Sequence, residues 1–268
     1  MSKQLAIITI HGMGDTDRNY NQPLVEQLRQ KIGGQLWDKQ VHVESVFYQD
    51  LLQYNQEQYW HTINEKYPLR WDFLRRFMLY KFSDGASIEH SLHSDISLYL
   101  AVHGAIATAF DNSLAALGSS DKPVIIIGHS LGCEQLSNYI WDAGRDLRFF
   151  ANDDWKTPAQ REFRRLSSCK LFIGTGCNIP IFRAGIDEPR LFKRPNGEFK
   201  WLNFFDVHDV LGYPLRDMYD KDESSWIEDK NIRVSGWLKR WNPLSHSQYW
   251  VSNSVINPIA QEIVKLLK

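Results

Sequence analysis

The chain has 268 residues, of which 43% are hydrophobic and 24% are charged, an ordinary composition for a globular protein that buries a sizeable core. Its 31 basic and 32 acidic residues leave a formal charge of −1, which excludes the basic surface typical of nucleic-acid binding proteins. Three cysteines are too few for a disulfide framework and indicate reduced thiols in a cytoplasmic protein.

Five short apolar runs predict β-strands. They are rich in β-branched and aromatic residues and are bounded by Gly, Pro or Asp, a pattern typical of strands that are buried on both faces of a parallel sheet. The runs are 5–10, 41–47, 123–128, 169–174 and 200–205. A shorter strand-like run follows at 231–236.

Helix signals lie between several of these runs. The predicted helices run from Pro23 to Gly33-Gly34, from Asp95 to about Leu117, and onward from Asn257-Pro258. Alternating strands and helices predict a single α/β domain over residues 1–268, with a mostly parallel central sheet flanked by helices. Residues 96–110 carry no charge, but they are fewer than the roughly 20 that a membrane span needs. No transmembrane segment is therefore expected.

Two spacings between the predicted strands are longer than a minimal α/β unit needs. The excess at 51–83 is rich in aromatic residues and predicts either extra helices packed on the core or a helical cap that lines an apolar pocket. Its candidate substrate contacts are Trp71, Phe73 and Phe77. Its arginines, which either meet an anionic group or form a solvated helix face, are Arg70, Arg75 and Arg76. The second excess, 142–168, is more polar and is expected to lie on the surface.

The segment 124–132 reads VIIIGHSLG and contains the G-x-S-x-G pattern of a nucleophile elbow. In such an elbow Ser130 sits on a sharp turn between a strand and a helix, with its hydroxyl aimed out of the sheet. Gly128 and Gly132 are expected because larger side chains would collide with the neighbouring chain. The following helix points its N-terminal amides and its positive dipole end at the reacting centre. Ser130 is therefore the candidate nucleophile.

A serine hydroxyl needs a hydrogen-bonded base, usually a histidine that a carboxylate orients. Behind such an elbow the acid precedes the histidine along the chain, which leaves His208 and His246. We expect His246, because it follows the last strand-like run whereas His208 adjoins the candidate acids. Asp209 is the first choice for the acid and Asp206 the second, since Asp206 could instead bond its own turn. No metal site is expected, because adjacent His and Asp side chains rarely converge on one ion.

Acyl transfer creates an oxyanion that backbone N–H groups must stabilise. One donor is expected to be the N–H of Leu131, directly after the nucleophile. The other is expected in the H-G-M-G segment after the first strand, with Met13 as the first choice and Gly12 as the second. His11 and His129 adjoin these donors and are further candidate substrate contacts.

These segments together resemble the α/β-hydrolase superfamily, on its serine lipase and esterase side. The resemblance rests on IITIHGMG, VIIIGHSLG, the loop with Asp206 and Asp209, and His246, and it spans 5 to about 265 apart from the two insertions. It implies a Ser-His-Asp catalytic triad and an acyl-enzyme, without a cofactor. The first strand leads directly into the oxyanion loop, so the fold is expected to lack the antiparallel strands that usually precede it.

The resemblance implies an activity but not a particular substrate. We expect a small-molecule carboxylic ester or thioester with an apolar acyl or aryl group, and a lipid-like ester is left open. The alternative is a catalytically silent binding or interaction protein that has kept the fold, since one architecture hosts many functions. The sequence does not indicate the oligomeric state.

Overall fold

The computed structural model describes residues 2–12, 17–67, 98–151, 156–185, 191–234 and 243–268, together with 70, 75 and 79; the side chains of 51–56 and 243–245 are not described. The strands are β1 Leu5–Ile10, β2 Val41–Val46, β3 Val124–His129, β4 Cys169–Thr175, β5 Lys200–Phe205 and β6 Ile227–Asn231. The α-helices are α1 Gln22–Ile32, α2 Gly34–Gln40, α3 Asp50–Lys66, α4 Leu98–Leu117, α5 Leu131–Ala143, α6 Pro158–Arg164, α7 Ile179–Arg183 and α8 Asn253–Leu266. Short 3₁₀ helices cover Arg148–Phe150, Arg216–Met218 and Pro243–Val251.

The six strands form one sheet in the order β2-β1-β3-β4-β5-β6, and every neighbouring pair is parallel. The inner strands β1, β3 and β4 are almost entirely buried, whereas the edge strands β2 and β6 are partly exposed. The predicted parallel sheet flanked by helices is therefore confirmed for the described part of the chain.

Alternate residues of the strands face two apolar layers. Ile8 and Ile126 pack in a cluster with the buried residues of α4, α5 and α6, whereas Ile7 and Ile125 pack with those of α1, α2 and α8. Because neighbouring side chains of a strand point to opposite faces, continuous apolar runs bury both sides of the sheet.

The strand order creates a crevice at one point of the sheet. From β1 the chain moves outward to β2, and it then returns across β1 to form β3. Connections that leave neighbouring strands in opposite directions open a crevice at the carboxyl ends, where ligands bind in open α/β sheets. His11 and Gly12 follow β1, and Ser130 follows β3, so the candidate oxyanion loop and nucleophile meet at this switch point.

Two boundaries differ from those predicted. The last strand is Ile227–Asn231 rather than 231–236, and its sequence IEDKN is largely charged. An edge strand needs to bury little of its surface, so it lacks the apolar signal of an inner strand. Helix α8 begins at Asn253, four residues before the predicted start, with Pro258 inside it. Pro258 is the sixth residue of the helix, past the first turn, so it removes the backbone hydrogen bond that its position would donate to the Ser254 carbonyl.

The segment 142–168 was expected on the surface, and this holds only in part, since most of its described residues are exposed or half-buried but some are in the core. Its aromatic and aliphatic side chains Phe150, Phe163 and Leu166 are buried in the core. Helix α6 begins with a capping box between Thr157 and Gln160, so the polar residues serve the helix end while the apolar ones face inward.

The segment 51–83 is described only in part. Helix α3 occupies its first half, where Trp60 is buried and Tyr59 and Tyr67 are exposed. Trp71, Phe73 and Phe77 lie outside the described residues, as does Arg76. The cap and its substrate contacts therefore stay a prediction.

Among the described residues, α4 is the one helix that is long and apolar enough to cross a bilayer by length and composition. It lies against the sheet, and Val102, Ile106 and Phe110 are fully buried in the core. This packing is that of a core helix.

Candidate active site

The backbone at Ser130 has an unusual conformation. Its φ is 53° and its ψ is −122°, values that non-glycine residues rarely adopt and that cost about 1–3 kcal/mol. The Ser130 N–H donates to the Thr175 carbonyl at 3.0 Å, and the Thr175 hydroxyl donates to the Gly128 carbonyl at 2.9 Å. Strand β4 therefore holds both ends of the turn.

Close backbone contacts explain the two glycines of the elbow. A Cβ atom at Gly128 would lie 3.1 Å from the backbone nitrogen of Cys133. At Gly132 it would lie 2.6 Å from the His11 carbonyl oxygen and 2.7 Å from that of Ile10. Such distances are well inside van der Waals contact, so only glycine lets α5 start against the end of β1.

The candidate oxyanion loop touches the candidate nucleophile. A Cβ atom at Gly12 would lie only 2.7 Å from the Ser130 Cβ. The N–H of Leu131 lies in the first turn of α5, where no carbonyl of the helix can accept it. Gly12 and Leu131 thus lie next to Ser130, whereas Met13, the preferred second donor, lies outside the described residues.

His246 lies on the 3₁₀ helix Pro243–Val251 and faces Asp209. Its Nδ1 is 2.8 Å from Asp209 Oδ2, and both side chains are buried. Asp209 Oδ1 accepts from the Leu211 N–H at 3.0 Å. Burial alone would raise the pKa of Asp209, but the hydrogen bonds from His246, Leu211 and Tyr249 lower it below its usual value. The carboxylate therefore stays ionised, and a proton on Nδ1 leaves Nε2 of His246 as the basic nitrogen.

Asp206, the second choice for the acid, is turned elsewhere. Its Oδ1 accepts from the backbone N–H of His208 and contacts the His208 ring, both at 3.0 Å. Its Oδ2 accepts from the Val234 N–H at 2.9 Å. Burial would raise the pKa of Asp206, but these hydrogen bonds lower it. The structure thus brings Asp209 to His246, while Asp206 anchors the chain that follows β6.

Two atoms that serine chemistry would use are buried without a partner. Ser130 Oγ and His246 Nε2 have no hydrogen bond within the part of the chain that the structure describes. Buried polar atoms are usually paired, and exceptions call for an explanation. The two atoms without a partner are thus the hydroxyl of the candidate nucleophile and the basic nitrogen of the candidate base.

The two histidines that adjoin the donors are held by the protein. His11 contacts the Gly12 carbonyl through Nδ1 at 2.7 Å and accepts from the Tyr48 N–H through Nε2 at 3.1 Å. Burial lowers the pKa of His11 to about 4, so the ring is neutral. His129 contacts the Thr175 carbonyl at 3.0 Å through Nδ1, and its ring centroid is 4.8 Å from that of His246. That these rings also meet substrate stays a prediction.

Tyr249 is a member of the site that the sequence did not single out. Its hydroxyl donates to Asp209 Oδ2 at 2.9 Å and accepts from the Asp206 N–H at 3.0 Å. Burial and the neighbouring Asp209 carboxylate raise its pKa far above the usual value, so the hydroxyl stays protonated and donates. Its spacing of three residues from His246 is the only sequence signal that could have suggested it.

Within the described residues, no three His, Cys, Asp or Glu side chains are grouped so that they could hold a metal ion. Comparison with known proteins adds no family: no family model matches the chain, and no curated protein is significantly similar to it. Function is therefore inferred from the geometry of the site.

Proposed function

We propose that the protein is a serine hydrolase of the α/β-hydrolase superfamily, on its lipase and esterase side, and that it cleaves a carboxylic ester or thioester. The observation that carries the proposal is a strained, buried Ser130 whose neighbour His129 packs against His246, with ring centroids 4.8 Å apart, while His246 pairs with Asp209. A buried hydroxyl without a partner, near an imidazole whose Nδ1 is held by a carboxylate, is the arrangement that nucleophilic catalysis requires.

In this mechanism Ser130 Oγ attacks the acyl carbonyl, and His246 Nε2 accepts the hydroxyl proton. The N–H groups of Leu131 and Met13 stabilise the oxyanion of the tetrahedral intermediate. The intermediate then expels the alcohol or thiol, which takes the proton from His246, and an acyl-enzyme remains. Water, deprotonated by His246, attacks the acyl-enzyme and releases the acid and the free serine. Asp209 keeps the imidazole in the required tautomer throughout.

The proposed substrate is a small-molecule ester with an apolar acyl or aryl group, which includes lipid-like esters. The aromatic composition of the segment 51–83 supports this choice, since apolar pockets are lined mainly by hydrophobic and aromatic side chains. A series of esters of increasing acyl length would define the preference.

The first test is intact-mass analysis after treatment with a fluorophosphonate, which phosphonylates activated serines. We expect one stoichiometric adduct on the wild type and none on Ser130→Ala. His246→Ala should react at least roughly 10³-fold more slowly than the wild type. The matched control is Ser137→Ala, because Ser137 is a buried serine on the same helix α5 and should label like the wild type.

Two outcomes would contradict the proposal. An adduct that persists on Ser130→Ala would show that the reactive residue is not Ser130. A folded wild type that forms no adduct would favour the alternative function, a silent binding or interaction protein.

A further inference from the structure

We propose that Tyr249 is a positioning residue of this site: its hydroxyl holds Asp209 Oδ2 so that the carboxylate presents one fixed oxygen to His246. The inference rests on the proposed hydrolase function and adds a fourth side chain to it. Tyr249 acts through Asp209 and needs no contact with the substrate.

The 3₁₀ geometry places the two donors side by side. A 3₁₀ helix has three residues per turn, so side chains three positions apart eclipse each other. His246 and Tyr249 have this spacing within Pro243–Val251. Their donor atoms therefore reach the same carboxylate oxygen, at 2.8 Å and 2.9 Å.

The surrounding backbone leaves little room for another arrangement. A Cβ atom at Gly212 would lie 2.6 Å from Asp209 Oδ2 and 2.9 Å from the Tyr249 hydroxyl. A Cβ atom at Gly176 would lie 2.9 Å from Tyr249 Cε2 and 3.0 Å from His246 Cε1. The two glycines thus pack directly against the His–Asp–Tyr junction.

The same hydroxyl ties the carboxylate to the sheet. It accepts from the N–H of Asp206 at 3.0 Å, and Asp206 directly follows β5. With a phenylalanine at 249, the Asp206 N–H would lose its acceptor and Asp209 Oδ2 would keep only the bond to His246. The carboxylate would then lose one of the three hydrogen bonds that fix its orientation.

The hydroxyl also tunes the negative charge that Asp209 presents to His246. Three groups face the imidazole in the described residues: the Asp209 carboxylate, the Tyr249 ring and the His129 ring. A hydrogen bond from Tyr249 partly neutralises the charge on Oδ2. Without it, the carboxylate presents more of its charge to the imidazole, so the pH profile of labelling should move to higher pH.

The test is the rate constant of fluorophosphonate labelling from about pH 5 to 9, measured on wild type and Tyr249→Phe. We expect the plateau rate of the variant to fall about tenfold. Its half-plateau pH should rise by about half a unit. The matched control is Tyr139→Phe, which removes another buried hydroxyl that donates to the Arg164 carbonyl at 3.0 Å. It should match the wild type in both quantities.

The outcomes separate this inference from the proposed function. A folded wild type that does not label contradicts the hydrolase proposal itself. If the wild type labels at Ser130 and Tyr249→Phe equals Tyr139→Phe in rate and half-plateau pH, the positioning role is overturned. A lower plateau with an unmoved half-plateau pH also overturns it, because a merely structural tyrosine would give that result.

A second variant tests the same junction with the hydroxyl retained, and it decides the question if Tyr249→Phe does not fold. Gly212→Ala places a Cβ against both Asp209 Oδ2 and the Tyr249 hydroxyl, so we expect the same direction of change in rate and half-plateau pH. Its control is Gly197→Ala, where a Cβ would meet no atom within 4 Å. Equal behaviour of the two alanine variants would overturn the inference.

Discussion

At the scale of single residues, the proposed chemistry depends on which of two neighbouring carboxylates faces His246. Asp206 and Asp209 lie in the same loop, and each bonds a backbone N–H two residues on. Only Asp209 also meets His246, whereas the second oxygen of Asp206 holds Val234. Similar local turns thus have different contacts, one with His246 and one with the chain that follows β6.

This division predicts different effects for the two Asp→Asn changes. Asp209→Asn should slow fluorophosphonate labelling by at least about 10²-fold, because the amide favours the wrong imidazole tautomer. Asp206→Asn should slow it less than about tenfold but lower the free energy of unfolding by roughly 1–3 kcal/mol, since a bond to the N–H of Val234 or His208 is lost. Labelling rates and urea denaturation measure the two effects. Loss of labelling in Asp206→Asn alone would reverse the assignment.

At the scale of elements, the elbow is set by the approach of three backbones. Strand β4 holds the Ser130 turn through Thr175, and the end of β1 lies against the first turn of α5 at Gly132. The strained φ of Ser130 persists because these contacts leave the turn no other conformation.

Gly132→Ala tests this packing. Its Cβ would meet the Ile10 and His11 carbonyl oxygens at 2.7 Å and 2.6 Å, and neither backbone can yield without moving β1. We expect a loss of about 1–3 kcal/mol in the free energy of unfolding, typical of overpacking, and at least about tenfold slower labelling. Gly197→Ala serves as the control in both the unfolding measurement and the labelling assay. An unchanged Gly132→Ala protein would show that the contact is looser than described.

At the scale of the whole molecule, two buried histidines link stability to pH. Burial lowers the pKa of His11 and of His103 to about 4, whereas an unfolded chain has an ordinary histidine pKa of about 6.5. Well above pH 6.5 the two histidines are neutral in both the folded and the unfolded state, and they do not reduce the free energy of unfolding. As the pH falls from about 6.5 towards 4, the unfolded state binds protons that the folded state does not, so stability is lost over that window.

His103→Gln should reduce this acid loss of stability. Between pH 6.5 and 4 the free energy of unfolding falls in both proteins. We expect this decrease to be smaller in the variant than in the wild type, by up to roughly 3 kcal/mol. His61→Gln, which changes an exposed histidine on α3, should leave the pH dependence unchanged. Chemical denaturation at several pH values measures the slopes. Equal slopes in wild type and His103→Gln would mean that His103 does not carry this linkage.

Much of the fold was predictable because its signals are local. The inner strands are continuous apolar runs, and the elbow is marked by glycines that the backbone contacts at Gly128 and Gly132 require. The edge strand β6 and the start of α8 were misplaced. A charged edge strand and a proline early in a helix are tolerated by the surrounding structure, although local preference argues against both.

The sequence by itself determined the parallel α/β framework and pointed to Ser130 and His246, since strand runs, glycine spacing and chain order depend on near neighbours. Only the tertiary structure decided which aspartate meets His246 and that Tyr249 joins them. Those contacts join residues some forty positions apart in the chain. They depend on the pairing of β5 with β4 and on the 3₁₀ helix after β6. Side-chain pairing over such distances is set by the packing of whole elements, because no local preference encodes it.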